Sequence, residues 1–155
     1  MKTALQVWAA GLWLVAAAGT SEAAERWGFE QRLDCALAME AVRWTHRVWP
    51  GADDGARPPR EQIIPDAMIA ERVRASLARE AELAERHGYA IEPKQLATEV
   101  DRMLRHSRAP ARLTELFAAL DDDVRAIEEC LARPALVERA WLRQTTSSKD
   151  EPEAG

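Results

Sequence analysis

Apolar residues recur at helical spacing along most of the chain, and no stretch alternates apolar and polar residues long enough to predict a strand. A first helix is predicted over 32–48, and Trp49-Pro50 ends it because a residue before proline disfavours the helical region. Its apolar stripe comprises Leu33, Leu37, Ala41, Trp44 and Val48, widened by Met39 and Val42. The longest helix is predicted over 66–87, with Gly88 as a left-handed C-cap. The predicted fold class is all-α.

Shorter helical segments follow this glycine. The pattern predicts a short extended link, a helix over 93–106, a helix over 110–119 and a helix that ends near Ala132. The aspartates at 121–123 supply an N-cap and a negative first turn for the last of these. Pro134 restarts or kinks the chain. We therefore expect a small irregular bundle of about five to six helices, given usual helix lengths.

Composition divides the chain into regions of different character. Residues 50–65 are rich in proline, glycine and charge and predict a loop, and residues 144–155 are polar and predict a disordered tail. In order, the regions are a signal peptide over 1–23, an N-terminal helix within 24–49, the Pro/Gly-rich loop, a helical domain over 66–143 and the tail. The part after residue 23 has the size of one domain.

The N-terminus has the order of a secretory signal peptide. Lys2 precedes an apolar run from Ala4 to Ala18, and Ser21-Glu22-Ala23 fits the small-x-small pattern of a cleavage site. The run is shorter than the ~20 residues that a membrane-spanning helix needs, so cleavage after Ala23 is predicted, and an uncleaved anchor is the alternative interpretation. Both interpretations predict a periplasmic or secreted protein, and cleavage would leave no stable membrane span.

The charge balance argues against nucleic-acid binding. The chain has 21 Lys and Arg residues against 26 Asp and Glu, a formal net charge of -5. Residues 1–23 contain one Lys and one Glu, so the remainder is also at -5. A nucleic-acid-binding module needs an excess of positive charge. Arginine and glutamate instead alternate along the predicted helices, as on a solvated surface.

The segment over 83–96 reads LAERHGYAIEPKQL and joins an apolar helix end, a glycine, a small aliphatic residue and a new helix start. This arrangement resembles the N-terminal helical domain of SurA-type periplasmic chaperones. The resemblance covers roughly residues 66–143 and continues at Val100, Leu116-Phe117, Leu120, Ile127, Leu131 and Leu136. The chain departs from the family at Asp121-Asp122, where a glycine turn is usual. No parvulin catalytic domain follows in this chain, so isomerase activity is not implied.

The resemblance implies a non-catalytic, chaperone-like module that binds unfolded or extended polypeptide in an apolar cleft. The candidate contact residues are Trp44, Trp49, Leu83, Ile91, Met103 and Phe117. For the two tryptophans the favoured interpretation is packing against the second helix, and the sequence does not divide the apolar residues between core and cleft. A structural adaptor that docks one fixed envelope partner is the second hypothesis, and an isomerase relative that lacks its catalytic domain is the third. The loop after the first helix is long enough to permit a helix-swapped homodimer.

Cys35 and Cys130 are the only cysteines in the chain. Outside the cytoplasm they are candidates for a disulfide worth ~3–5 kcal/mol in the chain-entropy model, and two buried free thiols are an equal interpretation. The three histidines stand apart without the spacing of a metal motif. The aspartates at 121–123 lack the other ligands of a calcium loop. We therefore expect no catalytic residue, no metal and no cofactor.

Overall fold

The structure is a computed structural model that describes residues 27–49 and 57–147. Within these ranges every regular element is helical, which confirms the predicted all-α fold class. The elements are α1 (Phe29–Thr45), α2 (Arg60–Ile63), α3 (Asp66–His87), α4 (Pro93–His106), α5 (Pro110–Ala118), α6 (Val124–Ile127), the π-helical segment π1 (Glu128–Ala132) and α7 (Arg133–Ser147). The predicted signal peptide and its cleavage site at Ala23 lie outside the described residues, as do residues 50–56 and 148–155.

Both ends of α3, the longest element, follow from the sequence. Pro65 precedes it as an extended N-cap residue, where a missing N–H breaks no helical hydrogen bond. Gly88 ends it with a φ of 60°, which confirms the predicted left-handed C-cap. The N–H groups of Gly88 and Tyr89 both donate to the carbonyl of Leu83. The chain therefore reverses at this point, and α4 begins at Pro93 as predicted.

The turn between α5 and α6 takes two consecutive residues through the left-handed region. Asp121 has a φ of 57° and Asp122 a φ of 52°, a conformation that aspartate tolerates better than branched side chains. Asp123 then caps α6 by accepting a 2.8 Å hydrogen bond from the N–H of Ala126. The aspartates thus make a turn that the resembled family usually makes with glycine.

The helix after this turn widens before it continues. The N–H of Arg133 donates to the carbonyl of Glu128, five residues back, and so closes the π-helical segment. Pro134 follows directly, and because it lacks an N–H and its ring crowds the preceding turn, a widened turn is the expected local response. The predicted change of helix geometry near Pro134 is present. However, α7 continues to Ser147, past the predicted start of the tail at residue 144.

α1 begins three residues earlier than predicted and buries a different stripe. Its buried residues are Arg32, Cys35, Met39, Glu40 and Trp44. Leu33 and Leu37 are only half-buried, Ala41 is exposed, and Val48 lies beyond the end of the helix with 89% of its surface exposed. The predicted stripe is therefore wrong in part, because it followed the leucines and left out the two charged residues that face the interior.

Three apolar clusters make up the core of the described residues. The first joins α1 to the α5–α6 turn, α6 and π1 and contains Cys35, Met39, Leu120, Ala126, Ile127 and Cys130. The second joins α3, α4, π1 and α7 and contains Leu83, Ile91, Leu96, Ala132, Val137 and Ala140. The third joins the end of α1 to the start of α3 and contains Trp44, Ile64 and Ile69. α1 thus packs along the bundle and contributes to two of the three clusters.

Candidate functional site

A disulfide joins Cys35 of α1 to Cys130 of π1, with the Cα atoms 6.1 Å apart, within the usual range for this bond. Both side chains are members of the first apolar cluster and are less than a tenth exposed. The sequence left open a disulfide or two buried free thiols, and in the structure the two cysteines form the disulfide. The bond connects positions 95 residues apart and so fixes α1 against the late part of the chain.

Four charged side chains form a network of hydrogen bonds beside this disulfide. Arg133 donates two hydrogen bonds of 2.7 and 2.8 Å to Glu129 and one of 3.0 Å to Glu80. Arg32 donates to the same carboxylates, at 3.3 Å to Glu80 and 3.2 Å to Glu129. We call Arg32, Glu80, Glu129 and Arg133 the ionic quartet. Burial alone would lower the pKa of Arg133, but its bonds to Glu129 and Glu80 raise it overall, and the two charges of each sign cancel.

A pocket of about 180 Å³ opens between α1 and α3 next to the quartet. Its lining combines buried apolar side chains with charged groups, and Arg32 and Glu129 of the quartet also face it. We call it the α1–α3 pocket and define it by Met39, Glu40, Arg43, Ile69, Arg72 and Val73. A concave site with apolar walls and a few convergent polar groups is the usual form of a ligand site.

Glu40 is the unusual member of this pocket. It is 4% exposed, and its Oε1 atom is buried and accepts no hydrogen bond from any described residue. Three guanidinium groups lie at ion-pair distance: Arg43 and Arg72 at 3.7 and 3.9 Å from Oε2, and Arg47 at 3.6 Å from Oε1. A buried acceptor without a donor is uncommon in native proteins. One carboxylate among three guanidinium groups also leaves a local excess of positive charge.

A second surface feature lies where α1 meets α2 and α3. The rings of Trp44 and Trp49 are 5.8 Å apart between centroids, and both pack with Ile64 and Ile69 in the third cluster. Arg57 closes this end by donating hydrogen bonds of 2.9 to 3.2 Å to three carbonyl oxygens at the end of α1. A cation at this position also complements the negative end of the helix dipole.

Large apolar side chains are exposed around the same place. Val48 is 89% exposed, Ile63 42% and Met68 45%. Ile63 and Met68 directly precede Ile64 and Ile69 of the third cluster, and Val48 directly precedes Trp49, which packs against that cluster. We call the surface of Val48, Trp49, Ile63 and Met68 the aromatic end. The other large apolar side chains that are exposed among the described residues lie on separate elements: Leu104 on α4, Val124 on α6 and Leu142 on α7.

Three of the six residues predicted to contact polypeptide are buried. Leu83 and Ile91 are 1% and 8% exposed and belong to the second cluster, and Trp44 is 9% exposed in the third. The predicted cleft at Leu83 and Ile91 is thus replaced by packed core, because the turn at Gly88 folds the extended link back against α3 and α7. Trp44 packs with Ile69 of α3, in agreement with the sequence-based interpretation that it packs against the second predicted helix.

The other three predicted contact residues keep some exposed surface but lie apart. Trp49 is half-buried at the aromatic end, and Phe117 packs at the edge of the first cluster. Met103 lines a separate pocket between α4 and α5. Of these three, Trp49 belongs to the aromatic end, so it remains a contact candidate there.

Glu99 ties α4 to α7. Its carboxylate is 3% exposed and accepts hydrogen bonds of 2.9 and 2.6 Å from Arg102 of α4 and a further one from Arg139 of α7. Burial alone would raise the pKa of Glu99, but the hydrogen bonds and charges of Arg102 and Arg139 outweigh this and lower it below its usual value. The ionised carboxylate is therefore the form that holds the two helices together.

The buried charges are what sequence reasoning missed. It treated arginine and glutamate as solvated surface, whereas the structure buries Arg32, Glu40, Glu99, Glu129 and Arg133. One signal was present: Glu80 falls on the apolar side of α3, one turn before Leu83. A carboxylate on an apolar helix face needs a buried partner, although the helix alone does not say which arginine supplies it.

Two features are absent from the described residues. No three or more His, Cys, Asp or Glu side chains are grouped there as ligands for a metal ion. None of the described helices is long and apolar enough to cross a membrane.

Comparisons with models of protein families, with curated proteins and with solved structures gave no significant match to this chain. The resemblance to SurA-type chaperone domains therefore stays a prediction from the residues that carry it. Fold and site define the class of molecule: an all-α bundle closed by a disulfide and a buried ionic quartet, with a charged pocket between α1 and α3 and an exposed apolar surface beside the third cluster.

Proposed function

We propose that this protein is a non-catalytic protein of the cell envelope that docks a polypeptide partner on its aromatic end. The observation that supports the proposal is the exposure of Val48, Ile63 and Met68, each of which is next in sequence to Trp49, Ile64 or Ile69 of the third cluster. Grouped exposed apolar side chains within a polar surface are typical of interaction sites. The disulfide and the ionic quartet hold the helices fixed, so a partner would meet a preformed surface at a small ordering cost.

The same proposal places the protein outside the cytoplasm. The signal-peptide pattern over 1–23, with cleavage after Ala23, predicts export. The disulfide between Cys35 and Cys130 supports an oxidising compartment such as the periplasm or the extracellular space, where such bonds persist.

Chaperone-like holding of unfolded chains is the second candidate. It is supported by the resemblance over residues 66–143 and by the exposed Met68, whose flexible side chain adapts to varied partners. The burial of Leu83 and Ile91 favours the fixed-partner form, because a promiscuous holding site needs accessible apolar surface.

Site-specific photo-cross-linking in the producing cell tests the proposal. A photoreactive residue is placed at Val48, which is 89% exposed at the aromatic end, and in a control at Leu142, which is 51% exposed on α7. We expect one discrete cross-linked polypeptide from Val48 and none from Leu142. A broad series of products from Val48 would support the chaperone candidate instead. Equal products from both positions would contradict docking at the aromatic end.

A further inference from the structure

We infer that the α1–α3 pocket binds the C-terminal residue of a polypeptide. The ligand is held through its α-carboxylate, its backbone N–H and an apolar side chain. This site deepens the proposed polypeptide-binding function, on which it rests, by naming the part of the partner that the pocket takes.

The charge of the pocket selects an anion. Among the described residues, Glu40 is the carboxylate at ion-pair distance from Arg43, Arg47 and Arg72, and the quartet beside it is neutral by itself. Arg43 and Arg72 line the pocket with side chains that are 44% and 58% exposed, and neither makes a hydrogen bond to Glu40. A guanidinium group binds a carboxylate best through two parallel N–H bonds. A ligand carboxylate at these two arginines would make the hydrogen bonds that Glu40 does not.

The buried oxygen of Glu40 selects a hydrogen-bond donor. Its Oε1 atom accepts no hydrogen bond among the described residues, and a carboxylate is an acceptor only. Arg47 lies 3.6 Å from this atom, beyond hydrogen-bond distance, so a ligand with an N–H or O–H group close to its negative charge would supply the missing donor. A terminal α-carboxylate meets this requirement, because the backbone N–H of the same residue is attached to the adjacent carbon. Sulfate has no such donor.

The walls of the pocket select an apolar side chain. Met39, Ile69 and Val73 line it and are 4%, 3% and 9% exposed. Its volume of about 180 Å³ is slightly larger than that of a cavity of about 150 Å³ that holds benzene. One side chain the size of leucine or methionine fits this space, and a second residue does not. The pocket therefore takes the last residue of a chain and leaves the preceding residues outside.

A free amino acid offers the same α-carboxylate, but its ammonium group adds a positive charge. In this pocket the ammonium would approach Glu40, but Arg43, Arg47 and Arg72 already surround that carboxylate, so repulsion from three like charges would offset the attraction. The N–H of a peptide bond donates without a charge, which favours a chain terminus. Ile69 also belongs to the third cluster, which adjoins the aromatic end, so a bound chain is able to continue onto that surface.

Fluorescence polarisation with labelled peptides tests the site on the full-length, oxidised protein. The probe is the peptide Gly-Ser-Gly-Leu, labelled at its N-terminus, with either a free carboxylate or an amide at its C-terminus. We expect saturable binding of the free acid and at least about tenfold weaker binding of the amide, the usual effect of losing a charged hydrogen bond. Peptides ending in leucine or methionine should bind more tightly than those ending in alanine or aspartate.

A matched pair of variants separates a specific site from general charge. Arg72→Met removes a guanidinium group that lines the pocket, and Arg74→Met removes one on the same helix with the same 58% exposure. We expect Arg72→Met and Arg43→Met each to weaken binding by at least about tenfold. Binding to Arg74→Met should stay within about twofold of the parent, as for a screened surface charge. Circular dichroism establishes that all three variants fold.

If the peptides bind, three results would still overturn the inference. They are equal affinity for acid and amide, an equal loss in Arg72→Met and Arg74→Met, and displacement of the probe by free leucine or phosphate as effectively as by unlabelled peptide. A complete lack of peptide binding, together with a discrete cross-link from Val48, would remove the pocket assignment and leave the proposed function standing. Peptide binding without any cross-link from Val48 would support the pocket assignment and contradict docking at the aromatic end.

Discussion

Arg32 on α1 and Glu129 on π1 form an ion pair of 3.2 Å inside the bundle, although 97 residues separate them in sequence. The disulfide connects the same two elements, through Cys35 one turn further along α1 and Cys130 directly after Glu129. A covalent bond and a buried ionic contact therefore set the position of α1 together. The α1–α3 pocket depends on that position, because α1 supplies Glu40 to it.

The substitution Arg133→Met should destabilise the protein strongly. Arg133 donates to both Glu129 and Glu80, and removing one partner of a buried ionic contact costs about 3–5 kcal/mol. Without Arg133 the two carboxylates would share Arg32 alone, which leaves one negative charge without compensation. Urea unfolding at neutral pH measures the change. Glu71→Gln is the control, since Glu71 is 75% exposed in its pair with Arg74 and such pairs contribute about 0–1 kcal/mol. A similar loss of unfolding free energy in Arg133→Met and Glu71→Gln would show that the quartet stabilises the fold no more than a surface ion pair does.

Reduction of the disulfide should lower the free energy of unfolding by about 3–5 kcal/mol, because the bond restricts a long loop in the unfolded chain. Urea titration with and without a reducing agent measures this, and the double variant Cys35→Ser/Cys130→Ser should match the reduced protein. A non-reducing gel should show a monomer, since both cysteines pair within one chain. A covalent dimer would instead support exchange of α1 between two copies.

Local signals were enough to predict the elements around Gly88. A proline before α3, a glycine after it and Glu92-Pro93 before α4 each act within a few residues of their own position. Their effects do not depend on which parts of the chain pack together. The same holds for Asp123, whose side chain caps α6 three residues on.

Long-range features were beyond the sequence for a physical reason. Apolar spacing is the same for a core residue and for a cleft residue, so Leu83 and Ile91 were open to both interpretations until their packing was known. Buried charges are harder still, since Arg32 is stabilised inside by Glu80 and Glu129, which reach it from two other elements. The α1–α3 pocket, which Glu40 shares with residues of α3, was not predicted for the same reason.

Glycine at position 122 should stabilise the protein and valine should destabilise it. Asp122 has a φ of 52°, which costs an L-residue roughly 1–2 kcal/mol and costs glycine almost nothing. Asp122→Gly should therefore raise the free energy of unfolding by up to about 1 kcal/mol, and Asp122→Val should lower it by at least about 1 kcal/mol. Thermal and urea unfolding measure both effects.

The neighbouring Asp123 provides the control for that pair of variants. It has a φ of -72° and caps α6, so glycine there relieves no strain and should cost a few tenths of a kcal/mol. An equal gain from glycine at both positions would mean that backbone strain at 122 is not the cause.

Protonation of Glu99 should lower the free energy of unfolding in acid, because the pKa of this carboxyl is lowered in the folded state. Arg102 and Arg139 lower the pKa of the folded state, so the folded form favours the ionised carboxylate more than the unfolded chain does. The contribution of Glu99 is complete above the unfolded pKa of about 4.3 and is lost as the pH falls through the lowered folded pKa. Glu99→Gln lacks this contribution at every pH. Urea unfolding at about pH 7 and about pH 2 should therefore show a large difference between parent and variant at the higher pH and a small one at the lower. A difference that does not change with pH would mean that the variant acts through packing and not through the ionised pair.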